Sequence, residues 1–321
     1  MPESQSSGAP PPSGPVSWRH LLAETTDVVG DRNHARWMCE VASGCGSTEF
    51  AAELDQPPTH RMVAHLDAMI ARRIAGEPLQ YVLGSWQFRW LDLMIDRRVL
   101  IPRPETEWVT EIALDLAGGL IRDGVVRDGI VRDGVARDGV ALGSGPVTVV
   151  DLGTGSGAIG LSLAVELPVG SANVWLVDVS SDALDVARAN LAGIGRAGAA
   201  VSIAQGSWFA ALPNELKGSI DLVVANPPYV AVGDPDVADD VYQWEPHRAL
   251  YSGVDGLDDI RIVVEQAASW LRPGGRLVIE IGSGQGPAVL ALLDQTGFAD
   301  RQIRPDLTGR DRVAIGRRPD V

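Results

Sequence analysis

Asp221-Leu222-Val223-Val224-Ala225-Asn226-Pro227-Pro228-Tyr229 is the stretch from which the rest of the chain is read. A short apolar run with two β-branched residues ends abruptly in Asn-Pro-Pro-Tyr, the pattern of a buried parallel strand. Neither proline can extend a hydrogen-bonded ladder, so the strand stops at Asn226. That puts Asn226 at the carboxyl edge of a sheet, where open α/β folds bind ligands. The Asn226 side chain beside the rigid carbonyl of Pro227 makes a pair of acceptors suited to an –NH2 group. Tyr229 adds a flat face against which a planar amide or a base can lie. A Pro-rich turn with Asn as turn former would produce the same four letters, so the weight falls on what precedes them.

What precedes them is a second strand signature, Val147-Thr-Val-Val-Asp-Leu-Gly-Thr-Gly-Ser-Gly-Ala-Ile-Gly160, in which a buried strand runs into a Gly-rich turn and then a helix. The glycines let backbone approach a ligand closely, and the helix start supplies free N–H groups. Asn173-Val-Trp-Leu-Val-Asp178 is the next strand and ends in an acid able to hold both hydroxyls of a ribose. Val201–Ala204, the Asn226 strand and Arg276–Ile281 add further parallel strands, and Ile303–Leu307 with Arg312–Gly316 complete the sheet as an antiparallel pair at one edge. The fold class is α/β.

Gly153-x-Gly155-x-x-Ala158, followed by Asp178, satisfies the dinucleotide fingerprint, so a nicotinamide dehydrogenase is a live rival on this motif alone. Two features favour S-adenosyl-L-methionine. Asp151 closes its strand just before the glycines, giving the D-L-G-x-G-x-G form typical of methyltransferases. An amide-holding Asn-Pro-Pro-Tyr beside the cofactor also has no use in a dehydrogenase. Asp151 as a helix cap and Asp178 as a solvated strand end would each be ordinary alone. Both flanking one Gly-rich turn are not.

The chain has 321 residues and a net charge of −15, with a pI near 4.7. That balance argues against affinity built on neutralising nucleic-acid phosphates. Cys39 and Cys45 fit neither a metal knuckle nor a CxxC pair, so reduced thiols, no metal site and a cytoplasmic location are expected. No membrane span is expected either. Residues 1–17 are Pro, Ser and Gly with little apolar content and are read as disordered. Residues 18–84 carry helical periodicity over roughly four helices, a docking module without catalytic clusters. Residues 85–104 read as a β-hairpin linker with Trp86-Gln-Phe88 and Leu91–Ile95 alternating. The catalytic domain is 105–321, beginning with a helix from Glu105 to about Ala117. Arg-Asp-Gly recurs four times with a five-residue period between Ile121 and Val140, and 119–145 is read as a solvated low-complexity insertion.

At this point the chain resembles the peptide chain release factor glutamine N5-methyltransferases, from about Trp18 to the C-terminus. The resemblance rests on Gly76-Glu-Pro-Leu-Gln-Tyr81, Leu100-Ile-Pro-Arg-Pro-Glu-Thr-Glu107, Asp151-Leu-Gly-Thr-Gly-Ser-Gly157, Val177-Asp-Val-Ser180, Asn226-Pro-Pro-Tyr229, Glu245-Pro-x-x-Ala-Leu250, Gly253-x-Asp-Gly-Leu257, Pro273-Gly-Gly275, Glu280-Ile-Gly282 and Asp306-Leu-x-Gly-x-Asp-Arg-Val313. The Asn-Pro-Pro-Tyr motif alone is shared with adenine-N6 methyltransferases. The Ile-Pro-Arg-Pro-Glu-Thr-Glu and Glu-Pro-x-x-Ala-Leu segments are far more specific. The Pro-rich N-terminus and the Arg-Asp-Gly repeat are extra to the family pattern and touch none of these motifs.

The resemblance implies a seven-stranded, Rossmann-like class I methyltransferase domain preceded by a small helical bundle that recognises the release factor. It implies the Gln of a Gly-Gly-Gln loop as substrate and S-adenosyl-L-methionine as cofactor. Asp151, Gly153, Thr154, Gly155, Ser156, Gly157, Asp178, Trp208 and Asn226 would then face the cofactor. Asn226, Pro227, Pro228 and Tyr229 would hold the substrate, with Asn226, Pro227 and Tyr229 as the catalytic set. His247 reads as a variable surface residue and not a base. A monomer without stable nucleic-acid or membrane binding is expected. The rival readings are an adenine-N6 nucleic-acid methyltransferase, a ribosomal-protein glutamine methyltransferase and a non-catalytic cofactor-binding scaffold.

Overall fold

The structure is a computed structural model that describes residues 16–127, 145–235 and 238–320. Residues 1–15, most of the segment read as disordered, and residues 128–144, which hold most of the Arg-Asp-Gly array, lie outside the described residues. The chain divides into two compact units at Gly84/Ser85.

The N-terminal unit contains five helices among the described residues: α1 (Trp18–Val29), α2 (Arg32–Ser43), α3 (Ser47–Glu53), α4 (His60–Ile74) and α5 (Leu79–Leu83). Sequence periodicity suggests roughly four, because α5 is a five-residue turn too short to show a period. Local chemistry sets the boundaries. The Asp31 carboxylate accepts the N–H groups of Asn33 and His34 at the start of α2. Gly30 and Gly44 end α1 and α2 in the left-handed conformation. Trp18, Met38, Cys39, Phe50, Leu66 and Met69 form the core, with the Trp18 ring edge-on to Phe50 at 5.6 Å. Burial pushes the Cys39 thiol up to about 11. The buried Glu77 carboxylate takes both arms of Arg72, which also donates to the carbonyls of Tyr81 and Val82. One cation thereby closes the Gly76–Tyr81 segment onto α4.

In the C-terminal unit β1 (Ser85–Phe88) and β2 (Leu91–Met94) form an antiparallel hairpin. It is bound to the helices that flank the larger sheet by side chains that no local pattern reveals. Arg89, at φ 50° in the turn, reaches Glu111 at 2.6 Å and Glu166 at 2.7 Å. Asn190 exchanges two hydrogen bonds with the Met94 backbone. The elements that follow are α6 (Pro104–Arg127), β3 (Val147–Leu152), α7 (Ala158–Glu166), β4 (Ala172–Asp178), α8 (Ser181–Gly193), β5 (Val201–Gln205), β6 (Ile220–Ala225), α9 (Asp239–Trp244), α10 (Asp258–Trp270), β7 (Leu271–Glu280), α11 (Gly286–Gln295), β8 (Ala299–Pro305) and β9 (Asp311–Arg317).

Seven strands form one sheet in the order β5-β4-β3-β6-β7-β9-β8. The first five are parallel, and β9 runs antiparallel to both β7 and β8. The chain moves outward from β3 through β4 to β5, then returns to place β6 on the other side of β3. That reversal opens a crevice at the carboxyl ends of β3, β4 and β6. Helices cover both faces, which is why the central strands read as continuous apolar runs.

Two differences from the sequence pattern have physical causes. Helix α6 continues through Arg127, beyond its expected end near Ala117 and into the segment read as a loop insertion. Ala113, Ala117 and Ile121 stay buried at four-residue spacing, and that packing outweighs the propensity cost of Gly118 and Gly119. Strand β7 starts at Leu271, ahead of Arg272-Pro-Gly-Gly. Ile220 pairs with Leu271 and Leu222 with Arg276, so the Pro-Gly-Gly segment is a bulge within the strand. Ile279 is fully buried in β7, and replacing it with Ala is expected to cost about 2–5 kcal/mol. Urea denaturation followed by circular dichroism measures that loss.

Candidate active site

The Gly-rich turn is folded by its own backbone. The N–H groups of Gly153 and Thr154 both donate to the Val177 carbonyl, drawing the end of β3 toward β4. Gly153, Gly155 and Gly157 take positive φ, open to glycine at little cost. At Gly153 a Cβ would lie 3.5 Å from the Trp208 ring and 3.8 Å from the Asn226 carbonyl, so this glycine forms a floor between those two residues. Gly160 is small for another reason. A Cβ there would fall 2.1 Å from Leu176 and 3.0 Å from the Asp151 carboxylate, and its absence lets α7 pack on β4.

Asp151 is buried beneath this turn. Its Oδ2 accepts the Thr154 hydroxyl at 2.6 Å and the Gly160 N–H at 2.9 Å, whereas Oδ1 is buried and without a partner. Burial pushes the carboxyl up to about 6, against the pull of those two hydrogen bonds. Asp178, at the end of β4, accepts the N–H groups of Gly155 and Ser180, each at 2.9 Å. Burial raises this carboxyl too, with the backbone N–H groups of Ser180, Gly155 and Val179 opposing.

On the other side of the crevice β6 ends at Ala225, one residue before Asn226. The Asn226 amide donates through Nδ2 to Thr106 Oγ1 at 3.2 Å. The Thr106 hydroxyl in turn donates to Glu280 Oε2 at 2.7 Å. The Tyr229 hydroxyl donates to Glu280 Oε1 at 3.3 Å, and Gln285 donates to the Tyr229 carbonyl at 3.0 Å. Glu280 ends β7 with no exposed surface. Burial pushes its carboxyl up to about 7, while Thr106, Arg312 and Tyr229 pull it down. Burial and the neighbouring Glu280 raise the Tyr229 phenol. A second buried acid, Glu245, accepts the Ile101 N–H at 3.1 Å and the Arg103 guanidinium. It ties the segment before α6 to the segment after α9.

These elements enclose a cleft of about 640 Å³. Gly153, Thr154, Gly155, Ser156, Asp178, Trp208, Asn226 and Pro228 line it. Asp151, Gly157, Pro227 and Tyr229 stand behind that lining; Asp151, Gly157 and Pro227 are buried and Tyr229 is half-buried. His247 is exposed and shares a hydrogen bond with the Tyr242 carbonyl. Arg97, Arg98 and Arg248 bring cationic groups to the cleft. The site residues inferred from sequence omit them, as they omit Thr106 and Glu280. Glu280 did carry a signal: an acid closing the apolar run Leu277-Val-Ile, like Asp151 and Asp178 at the ends of their strands. Thr106 lies in the Leu100–Glu107 motif, but its link to the site is not legible there, because it reaches Glu280 across 174 positions of chain.

The chain matches the PrmC N-terminal domain over residues 17–84 and the methyltransferase small domain over residues 144–243. It is 40% identical over 311 residues to the release factor glutamine methyltransferase of Burkholderia pseudomallei, covering 96% of this chain and 98% of that protein. The release factor glutamine methyltransferase of Geobacter sulfurreducens is 35% identical, over 94% of this chain and 95% of its own length. That of Deinococcus radiodurans is 36% identical, over 94% and 98%.

The raised Asp151 carboxyl has a stability consequence. Its folded value lies above the ordinary 3.8, so the unfolded chain loses this proton first and the folded state weakens as pH rises between about 4 and 6. Relative to the parent, Asp151→Asn should gain stability across that window, by at most about 1.4 kcal/mol per pH unit. Urea titrations at several pH values measure the difference, and a flat difference contradicts the assignment.

Proposed function

The chain belongs to the release factor glutamine methyltransferase family, and on that premise we propose that it methylates the side-chain amide nitrogen of the Gln in the Gly-Gly-Gln motif of peptide chain release factors, using S-adenosyl-L-methionine. The observation that carries this reading is the position of Asn226, which lines one cleft with Gly153 and Trp208. The Asn226 side chain thereby opens onto the space beside the Gly-rich turn, with the Pro227 carbonyl next to it in the chain.

The residues present suit that cofactor. Asp151 supports the site from behind its lining, where it holds the Thr154 hydroxyl and the Gly160 N–H, and Thr154 lines the cleft. Asp178 keeps lone pairs beyond the two it offers Gly155 and Ser180, enough to hold ribose hydroxyls. Trp208 offers an aromatic face for a base. A side chain at Gly153 would fill the floor between them. Bound there, the cofactor supplies a sulfonium methyl group, an electrophile that needs no acid catalysis.

A primary amide nitrogen is a weak nucleophile because its lone pair is delocalised into the carbonyl. The protein's task is therefore alignment. Asn226 Oδ1 and the Pro227 carbonyl accept the two amide hydrogens, which fixes the nitrogen's direction and raises its electron density. Pro227 and Pro228 hold that carbonyl rigidly. Tyr229 flanks the amide plane, and its hydroxyl is anchored on Glu280. Positioning of this kind is worth several kcal/mol. The product's surplus proton leaves to water, so no general base is required before transfer. Residues 18–84 recognise the release factor, and the protein works as a cytoplasmic monomer. Among the described residues no helix is long and apolar enough to cross a membrane.

The test is incubation with labelled S-adenosyl-L-methionine and a purified release factor, with the modified residue located by mass spectrometry. One methyl on the Gly-Gly-Gln glutamine is the expected result. Transfer to nucleic acid instead would overturn the substrate. Asn226→Ala should lower turnover by a factor on the order of 10² or more, as for loss of one preorganised active-site group, while calorimetry shows cofactor binding retained. Asp178→Ala should reverse that pattern, weakening cofactor binding first.

A further inference from the structure

In the mechanism above Glu280 only anchors the Tyr229 hydroxyl and Thr106 has no part, yet the two join Asn226 to Tyr229 through one buried carboxylate. Donor counting gives each bond a direction. An ionised carboxylate only accepts. Thr106 has a single hydroxyl proton, and at 2.7 Å that proton goes to Glu280 Oε2. What remains on Thr106 is acceptor capacity, so the Asn226 atom 3.2 Å away is the donor, Nδ2. Oδ1 is left on the opposite edge of the amide. The proton of Tyr229 is likewise committed to Glu280 Oε1. We propose that Glu280, acting through Thr106, is a positioning residue that determines which edge of the Asn226 amide meets the substrate.

The need for such a device follows from the shape of the Asn side chain. Its oxygen and nitrogen edges are nearly isosteric, so packing alone barely separates the two orientations. A group at position 280 that donates would release the Thr106 proton toward Asn226. The amide could then turn over, give Oδ1 to Thr106 and present Nδ2 to the substrate. A donor would face the two hydrogens of the Gln amide, and the alignment would be lost. Glu280 is therefore a polarity source, and Thr106 carries its sign to Asn226.

The groups around the carboxyl bear on its charge. Thr106 and Glu105 face it from α6, Tyr229 from the turn after β6, and Arg312 from β9. Burial and Glu105 favour the neutral form, whereas Thr106, Arg312 and Tyr229 favour the anion, with a balance near pH 7. Neutral Glu280 can donate to Thr106 and relaxes the relay. Turnover should therefore rise with pH through that region.

The role rests on Asn226 Oδ1 being the acceptor for the Gln amide, so the same assay reads both. The full-length protein, S-adenosyl-L-methionine and a purified release factor are used, with Glu280→Gln, Thr106→Val and Thr106→Ser beside the parent. Absence of transfer to the Gln by the parent overturns the functional reading, and this role with it. Given parental transfer, Glu280→Gln and Thr106→Val should lower kcat about tenfold or more, with KM for the release factor and calorimetric Kd for the cofactor changed by less than about threefold. Thr106→Ser, which keeps the hydroxyl, should recover most of that loss. The rise of kcat with pH near 7 should be absent in Glu280→Gln. Folded variants with parental kcat and a parental pH profile overturn the relay. So does a kcat loss matched by an equal loss of cofactor affinity, which would mark general damage to the fold. If Glu280→Gln does not fold, the Thr106 pair decides the matter alone.

Discussion

The carboxylate of Glu280 has no exposed surface, and it accepts the Thr106 hydroxyl from α6 and the Tyr229 hydroxyl from the turn after β6, while Thr106 accepts from Asn226. A buried carboxylate without donors would cost several kcal/mol. Here the donors are Thr106 and Tyr229, from two separate elements, with Arg312 close enough to contribute charge. Satisfying the acid therefore does two things at once. It docks the start of α6 against the sheet, and it leaves Asn226 with one amide edge occupied.

The same arrangement recurs along the sheet. Asp178 closes β4, Glu280 closes β7 and Asp151 lies one residue before the end of β3, so three of the parallel strands carry acids at their carboxyl ends. Burial raises all three. Groups placed only for stability would be better neutral, since a raised folded-state value means that ionisation works against folding. Their common location around a crevice is the mark of a site in which charge is held for use. The sheet topology explains why they meet. β3 lies between β4 and β6, and the change of direction there leaves the strand ends uncovered by crossover helices.

Much of this was legible in the chain. The apolar run ending at Pro227 specifies a buried strand with Asn226 at its edge, because two prolines cannot continue a ladder. The acids at Asp151 and Asp178 each follow an apolar run and reach the crevice side of the sheet, and the antiparallel pair at the sheet edge is present, although its first strand runs over Ala299–Pro305 and not from Ile303 to Leu307. Other features were not legible. The length of α6 past Gly118 depends on Ile121 finding a buried site. The anchoring of the hairpin depends on Arg89 meeting Glu166, 77 positions away, and on Asn190 meeting Met94. The bulge in β7 depends on its pairing with β6.

The division follows from the range of the forces involved. Periodicity, proline stops, glycine turns and strand-end acids are local, so sequence by itself determined the α/β class, the succession of strands along the chain and the place of Asn226 just past the end of a buried strand. Which edge of the Asn226 amide faces outward is not local. It depends on a hydroxyl 120 positions earlier and a carboxylate 54 positions later, brought within hydrogen-bonding distance only when α6 and β7 pack beside β6. The two edges of an amide have nearly the same shape, and only the charge of a partner supplied by the tertiary structure distinguishes them.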